Sequence, residues 1–174
     1  MTWTTISRVD AGDDVTSSAW NNQVKGNLEH LYSVPRCEAY RSADQTIGNA
    51  SFTSVTWDSE TFDTASIHDT STNSDRFTLV RDGMWLVVAQ INFVSNATGT
   101  RRARLRFNDS STLSQSYFYT ASGDTARFTT SAIVYTDTTT DYVSLQVFQN
   151  SGGNLNFNGG SAAASRMSVA WLGS

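Results

Sequence analysis

Residues 76–94 read RFTLVRDGMWLVVAQINFV, and this stretch decides the fold. Asp82-Gly83 is a turn signal between two apolar runs. Beyond it, Trp85, Val87, Ala89, Ile91 and Phe93 share one face of an extended chain. Met84, Leu86 and Val88 share the other face before it turns polar at Gln90 and Asn92. A strand that faces water on one side alternates apolar with polar throughout, so one that begins apolar on both sides expects a cover for its second face.

Working outward, residues 102–108 alternate Arg102, Arg104 and Arg106 with Ala103, Leu105 and Phe107. Further strands are expected at 115–120, 126–135, 142–148 and 167–172. Upstream, 38–42 and 52–57 are expected strands, and 58–75 reads as a polar loop of Ser, Thr, Asp and Asn. The segment Asn154–Asn158, bracketed by glycine pairs at 152–153 and 159–160, reads as a flexible hairpin. Short strands at this spacing with no second helix predict an all-β sandwich or closed barrel. No fixed-period repeat points to a propeller or β-helix.

One helix is expected, over about 17–32. Trp20, Val24, Leu28, Leu31 and Tyr32 recur at helical spacing, Thr16 is placed as its N-cap, and Val15 and Trp20 are placed as a hydrophobic staple. Pro35 closes the segment. The chain therefore divides into an N-terminal segment, 1–35, and a β-domain, 36–174.

Composition narrows the function. The chain has 174 residues, 39% hydrophobic and 11% aromatic, enough for one domain with a real core. Its net charge of −4 argues against a general nucleic-acid binder. No apolar run approaches the roughly 20 residues of a membrane span, and the N-terminus carries no Sec-type signal pattern. Cys37 is the single cysteine and His30 and His68 the only histidines, so neither a disulfide framework nor a thiolate metal site is expected within one chain. The chain reads as non-enzymatic, with no cofactor and no metal.

Two resemblances follow from these residues. Ala39-Tyr40, Phe52 to Asp58, Arg76-Phe77-Thr78-Leu79-Val80, Gly83-Met84-Trp85-Leu86-Val87, Arg104 to Asn108, 132–143 and 167–172 resemble, in order, the strands of the C1q/TNF-like jelly-roll domain. Thr140 stands where that family usually has glycine, and the closing strand lacks its usual Phe-x-Gly-Phe. Trp3-Thr4-Thr5, Gly12-Asp13-Asp14-Val15-Thr16, Ala19-Trp20-Asn21 and Asn27-Leu28-Glu29-His30-Leu31 resemble the leader of many tailed-phage virion proteins. Together they imply a homotrimeric virion structural protein with a jelly-roll knob, either a capsid decoration or head-fibre protein, or a tail-fibre or tail-tip protein that recognises a host surface glycan or protein. The implied partners are a major capsid or tail protein.

The site residues follow from this reading. Trp3, Val15, Trp20, Val24, Leu28 and Leu31 are the expected virion anchor. Met84, Leu86, Val88, Tyr142 and Phe148 are the expected subunit contact. Arg102, Arg104 and Arg106 are placed either to meet an anionic glycan or to guard a sheet edge and pair with acids of a neighbouring subunit. Asp58, Glu60, Asp63, Asp69 and Asp75 lack calcium-loop spacing and read as turn formers. His30 is expected beside the helix stripe and His68 on an exposed loop.

Overall fold

The structure, a computed structural model, describes residues 16–120, 125–160 and 164–174 together with Gly12 and Asp14; the side chains of His30 and Leu31 are outside the description. The chain forms two units, 1–34 and 35–174.

The larger unit holds twelve described strands: β1 (Arg36–Tyr40), β2 (Gln45–Ile47), β3 (Phe52–Ser54), β4 (Ser59–Asp63), β5 (Arg76–Thr78), β6 (Gly83–Asn92), β7 (Thr100–Phe107), β8 (Ser111–Tyr119), β9 (Arg127–Thr136), β10 (Tyr142–Gln149), β11 (Leu155–Phe157) and β12 (Arg166–Gly173). The first sheet runs β4-β1-β12-β6-β9. The second runs β3-β10-β7-β8, with β5 also paired to β10. Register places β5 against Tyr142 to Ser144 and β3 against Gln146 to Phe148, so two short strands share one flank of β10. β2 and β11 form a small sheet of their own. All named pairings are antiparallel, and strands distant in sequence, such as β1 with β12 and β10 with β7, pair beside the local hairpin of β7 and β8, as in a jelly roll.

The core follows the period-two pattern. Trp85, Val87, Ala89, Ile91 and Phe93 are buried, opposed by Ala103, Leu105, Val143, Leu145 and Val147 from the second sheet. Phe157 packs edge-on to Trp57 and Phe93, with ring centroids 6.3 and 5.4 Å away, and Phe77 meets Trp57 at 6.4 Å. Gly83 makes the start of β6 possible. It has φ +116°, and a Cβ there would lie 2.3 Å from the Gly173 carbonyl oxygen.

Four expectations about this unit are corrected. The polar stretch 58–75 contains β4, in which Phe62 is the one apolar residue among Ser59, Glu60, Thr61 and Asp63, so no apolar alternation marks it; it exists because β1 offers a ladder. The glycine-flanked segment is no flexible tip: β11 pairs β2, and Leu155 and Phe157 are buried. His68 is buried, its Nδ1 2.8 Å from Glu60 Oε1 and its Nε2 3.1 Å from the Ser74 carbonyl oxygen. The arginine strand β7 lies between β10 and β8, so its arginines do not guard an edge.

The smaller unit carries the helix, but not a uniform one. Thr16 caps it as expected, its Oγ1 accepting from the Ala19 N–H at 3.1 Å. After α1 (Ser17–Ala19) comes a π-helical stretch, Trp20–Lys25, and then α2 (Gly26–Tyr32). The Gly26 N–H reaches the Asn21 carbonyl, an i to i+5 bond. A Cβ at Gly26 would sit 3.2 Å from that oxygen, so glycine eases the wide turn. In a uniform α-helix a four-residue step overshoots by about 40°. The wider π turn offsets this drift, so Trp20, Val24, Leu28 and Tyr32 form a straighter row, and all four are exposed. Gln23 and Asn27 are more enclosed than this row, and Asn27 donates to the Gln23 carbonyl at 3.0 Å.

Candidate functional site

The outward face of the second sheet is built from three rows that its registers align. Phe52, Phe148, Arg102 and Tyr117 form one row across β3, β10, β7 and β8. Ser54, Gln146, Arg104 and Gln115 form the next, and Arg76, Ser144, Arg106 and Thr112 the third. The period of two puts every second residue of β7 on this face and every other one in the core.

Each arginine is held differently. The Arg102 guanidinium lies 4.8 Å from the Phe148 ring centroid and 5.0 Å from that of Tyr117, a cation between two aromatic faces. It makes no hydrogen bond to a described residue; its Nε is enclosed, whereas its terminal nitrogens reach the surface. Arg104 stacks on Phe52 at 3.8 Å and donates from Nε and Nη2 to one oxygen, Gln146 Oε1, at 2.9 and 2.7 Å. Arg106 donates to Thr112 Oγ1 at 2.7 Å and to the Asp109 carbonyl. Among the described residues none of the three forms an ion pair with a carboxylate. Burial and the neighbouring Arg106 charge both push the Arg104 guanidinium below its ordinary pKa.

At the far end of this face Tyr142 lies under Arg76, 4.3 Å from guanidinium carbon to ring centroid, and its hydroxyl donates to Asp109 Oδ2 at 3.0 Å. Burial, then the Asp109 bond, raises the Tyr142 pKa. Phe148 meets Phe52 at 5.3 Å. Both aromatics of the expected subunit contact are thus engaged within their own chain. Arg101 points the other way and is fully buried, its guanidinium donating to the carbonyls of Asn96, Thr98 and Thr100 and lying over Phe93. Removal from water lowers its pKa.

The outward face of the first sheet is different in kind. Register brings Met84 beside Tyr135 and Leu86 between Ile133 and Ala170, with Val88 next along β6. Ile133 is 61% exposed, Leu172 54% and Met84 47%. The apolar patch ends at a polar cluster, where Glu38 accepts from Arg166, Ser168 and Thr61. The five expected contact residues therefore fall on two opposite faces of the sandwich: Met84, Leu86 and Val88 here, Tyr142 and Phe148 behind. Sequence reasoning missed Ile133, Tyr135 and Leu172, although a period-two reading of 126–135 would have put Ile133 and Tyr135 opposite the buried Val134.

Of the anchor residues, Trp20, Val24 and Leu28 are exposed on the helix. Trp3, Val15 and the Leu31 side chain lie outside the described residues, as does the His30 side chain.

The acidic residues are locally engaged. Asp58 pairs with Arg41 at 3.1 Å, Glu60 holds His68 Nδ1 at 2.8 Å, and Asp63 accepts from the N–H groups of Ala65 and His68. Asp69 accepts from the N–H groups of Thr72 and Ser71 and from the Ser71 hydroxyl, which hold its carboxyl down at about 2. A cleft lined by His68, Asp69, Arg76 and Tyr142 lies beside this loop, but both His68 ring nitrogens face acceptors, so neither is free to act as a base. Among the described residues no three His, Cys, Asp or Glu side chains converge on one point.

No family model and no curated protein matches the sequence. Solved structures do. The chain is similar to the globular domain of zebrafish complement 1qA protein, with TM-score 0.60 and 12% identity, covering 80% of this chain and 98% of that one. It is also similar to Eiger TNF from S. frugiperda, with TM-score 0.61 and 16% identity over 81% and 94% of the two chains, and to murine APRIL, with TM-score 0.61 and 10% identity over 80% and 99%. The fold is a C1q/TNF-like jelly roll.

Proposed function

We propose that this chain is a structural protein of a bacteriophage virion, a homotrimeric surface knob displayed by its N-terminal segment as a capsid decoration or head-fibre protein. The observation that carries the trimer is the apolar outward face of the first sheet. Met84, Leu86, Val88, Ile133, Tyr135 and Leu172 meet water in the single chain, and a contiguous patch of that kind marks an interaction surface. Burying a large apolar side chain contributes roughly 1.5–3 kcal/mol, so a handful of them can outweigh the cost of ordering an interface. Three copies around an axis give every such face a partner.

The virion placement is supported by the leader. Its residues resemble phage virion leaders, and its helix sets Trp20, Val24, Leu28 and Tyr32 in one exposed row. A helix this short does not hold an apolar stripe in water for its own sake. In a trimer three such stripes are presented together, so each attachment after the first is intramolecular. The tail-tip alternative puts the same architecture at the tail, as a protein that recognises a host surface glycan or protein. Two measurements test the proposal. The knob is located in a reconstruction of the intact particle, on the head under this reading and on the tail under the alternative. Trp20→Ala with Leu28→Ala is then compared with wild type for co-sedimentation with particles lacking the protein. The double variant is expected to lose most binding; undiminished binding places attachment elsewhere and overturns the anchor.

A further inference from the structure

We propose that the outward face of the second sheet binds an acidic glycan, a chain of pyranose rings bearing carboxylates, through Arg102 and Arg104. This inference does not depend on the virion placement. The sheet registers bring Phe148, Arg102 and Tyr117 into one row and Gln146 and Arg104 into the next. Two arginines thereby project from backbone positions about 7 Å apart along β7, with neither paired to a described carboxylate.

The chemistry of the site selects the ligand. An arginine fixed between two rings keeps its plane while its N–H edge stays available, which suits the two oxygens of a carboxylate. Arg102 is in that state: Phe148 and Tyr117 hold it, and its terminal nitrogens donate to no described residue. Arg104 spends Nε and Nη2 on Gln146 and leaves Nη1 accessible. Tyr117 is 52% exposed and offers a flat ring to the C–H face of a sugar. Asp109, the acid on this face, sits at the Arg106 end, where it is engaged by Tyr142 and Ser144. The open N–H groups are therefore at the other end.

The surrounding field disfavours denser polyanions. A net charge of −4 gives no long-range attraction to a nucleic acid, whose phosphates demand a broad basic surface. Spaced carboxylates need only short-range contacts, which this face supplies. Nor is the row a sheet-edge device, since β7 is paired on both sides.

The test uses the full chain and three probes: polygalacturonate, its fully methyl-esterified form, and polyglutamate. Binding is followed by biolayer interferometry at two salt concentrations. Polygalacturonate is expected to bind, and the ester, which has the same backbone without the charge, is expected not to. Arg102→Gln should weaken binding by about tenfold or more, and Arg102→Lys, which keeps charge but loses the fork and the stack, by several-fold. Arg127→Gln, on the first sheet, should leave it unchanged. Circular dichroism and melting confirm that each variant is folded, and the lysine variant remains informative if the glutamine one is not. The proposal is overturned if polygalacturonate fails to bind or if polyglutamate binds equally well. It is likewise overturned if the Arg102 variants bind as wild type. A drop in subunit number for Arg102→Gln in light scattering would also overturn it, assigning the row to a second copy of the chain.

Discussion

Cys37 illustrates how far a single side chain's chemistry is set by its neighbours. It is fully buried on β1, and burial first, then the charges of Asp63 and Glu60, pushes its thiol far above the ordinary range. The thiolate is the reactive form, so Cys37 is expected to resist iodoacetamide at pH 8 for hours in the folded protein and to react promptly in guanidinium. Rapid labelling of the native state would show that β1 opens or that the thiol is accessible. Asp69 is the opposite case, a carboxyl in water whose pKa falls from 3.8 to about 2 because three donors serve its charged form. Its folded form binds a proton less readily than its unfolded form. What it adds to stability is therefore complete above pH 3.8 and is lost as the pH falls towards 2. An NMR titration of the Asp69 carboxyl should show a midpoint near 2; a midpoint near 4 would mean that the turn is open in solution.

At the scale of elements, turns and ends carry the constraints that strand patterns omit. The β6 entry at Gly83 combines φ +116° with the Gly173 carbonyl oxygen and Trp171 Nε1, 2.3 and 2.9 Å from where a Cβ would sit. Gly83→Ala is expected to cost about 1–3 kcal/mol for the backbone conformation alone, before the clash is counted. It should lower the melting temperature by about 2–4 °C per kcal/mol. Gly48→Ala, where the nearest atom is the Ser51 hydroxyl at 3.7 Å, is the control and should melt within about 2 °C of wild type. Equal effects at both positions would refute the steric account. The π turn of the leader belongs to the same scale. Spacing alone marks Trp20, Val24 and Leu28 as one stripe, but not that a widened turn at Trp20–Lys25 straightens it.

For the whole molecule, the question is what covers the first sheet. Light scattering on the purified chain is expected to give about three times its 19.0 kDa mass. Ile133→Asp puts a charge at the centre of the apolar patch, where burial without a partner costs more than the contact returns. It should shift the population to monomer while circular dichroism stays β-rich, because Ile133 faces away from the core. A wild-type monomer at micromolar concentration, or a trimer indifferent to Ile133→Asp, would move the interface off this sheet.

The sequence by itself determined the β-domain, the helix at its N-terminal side, and the faces of the long strands. Alternation at period two is a local property, and in β6, β7 and β10 the core is rich enough in Trp, Ile, Leu and Val to write it plainly. Tertiary structure decided the rest. β2 and β11 are three residues each and exist because they find one another across a hundred positions. His68 and Arg101 sit in polar stretches and are buried because Glu60 and Ser74, or the carbonyls of Asn96 and Thr98, close around them. The arginine face owes its form to two registers, which set Phe148 and Tyr117 on either side of Arg102. A pattern along one strand says which side a residue faces. What stands beside it is decided by strands that the chain reaches only after folding back, and that pairing is a property of the sheet.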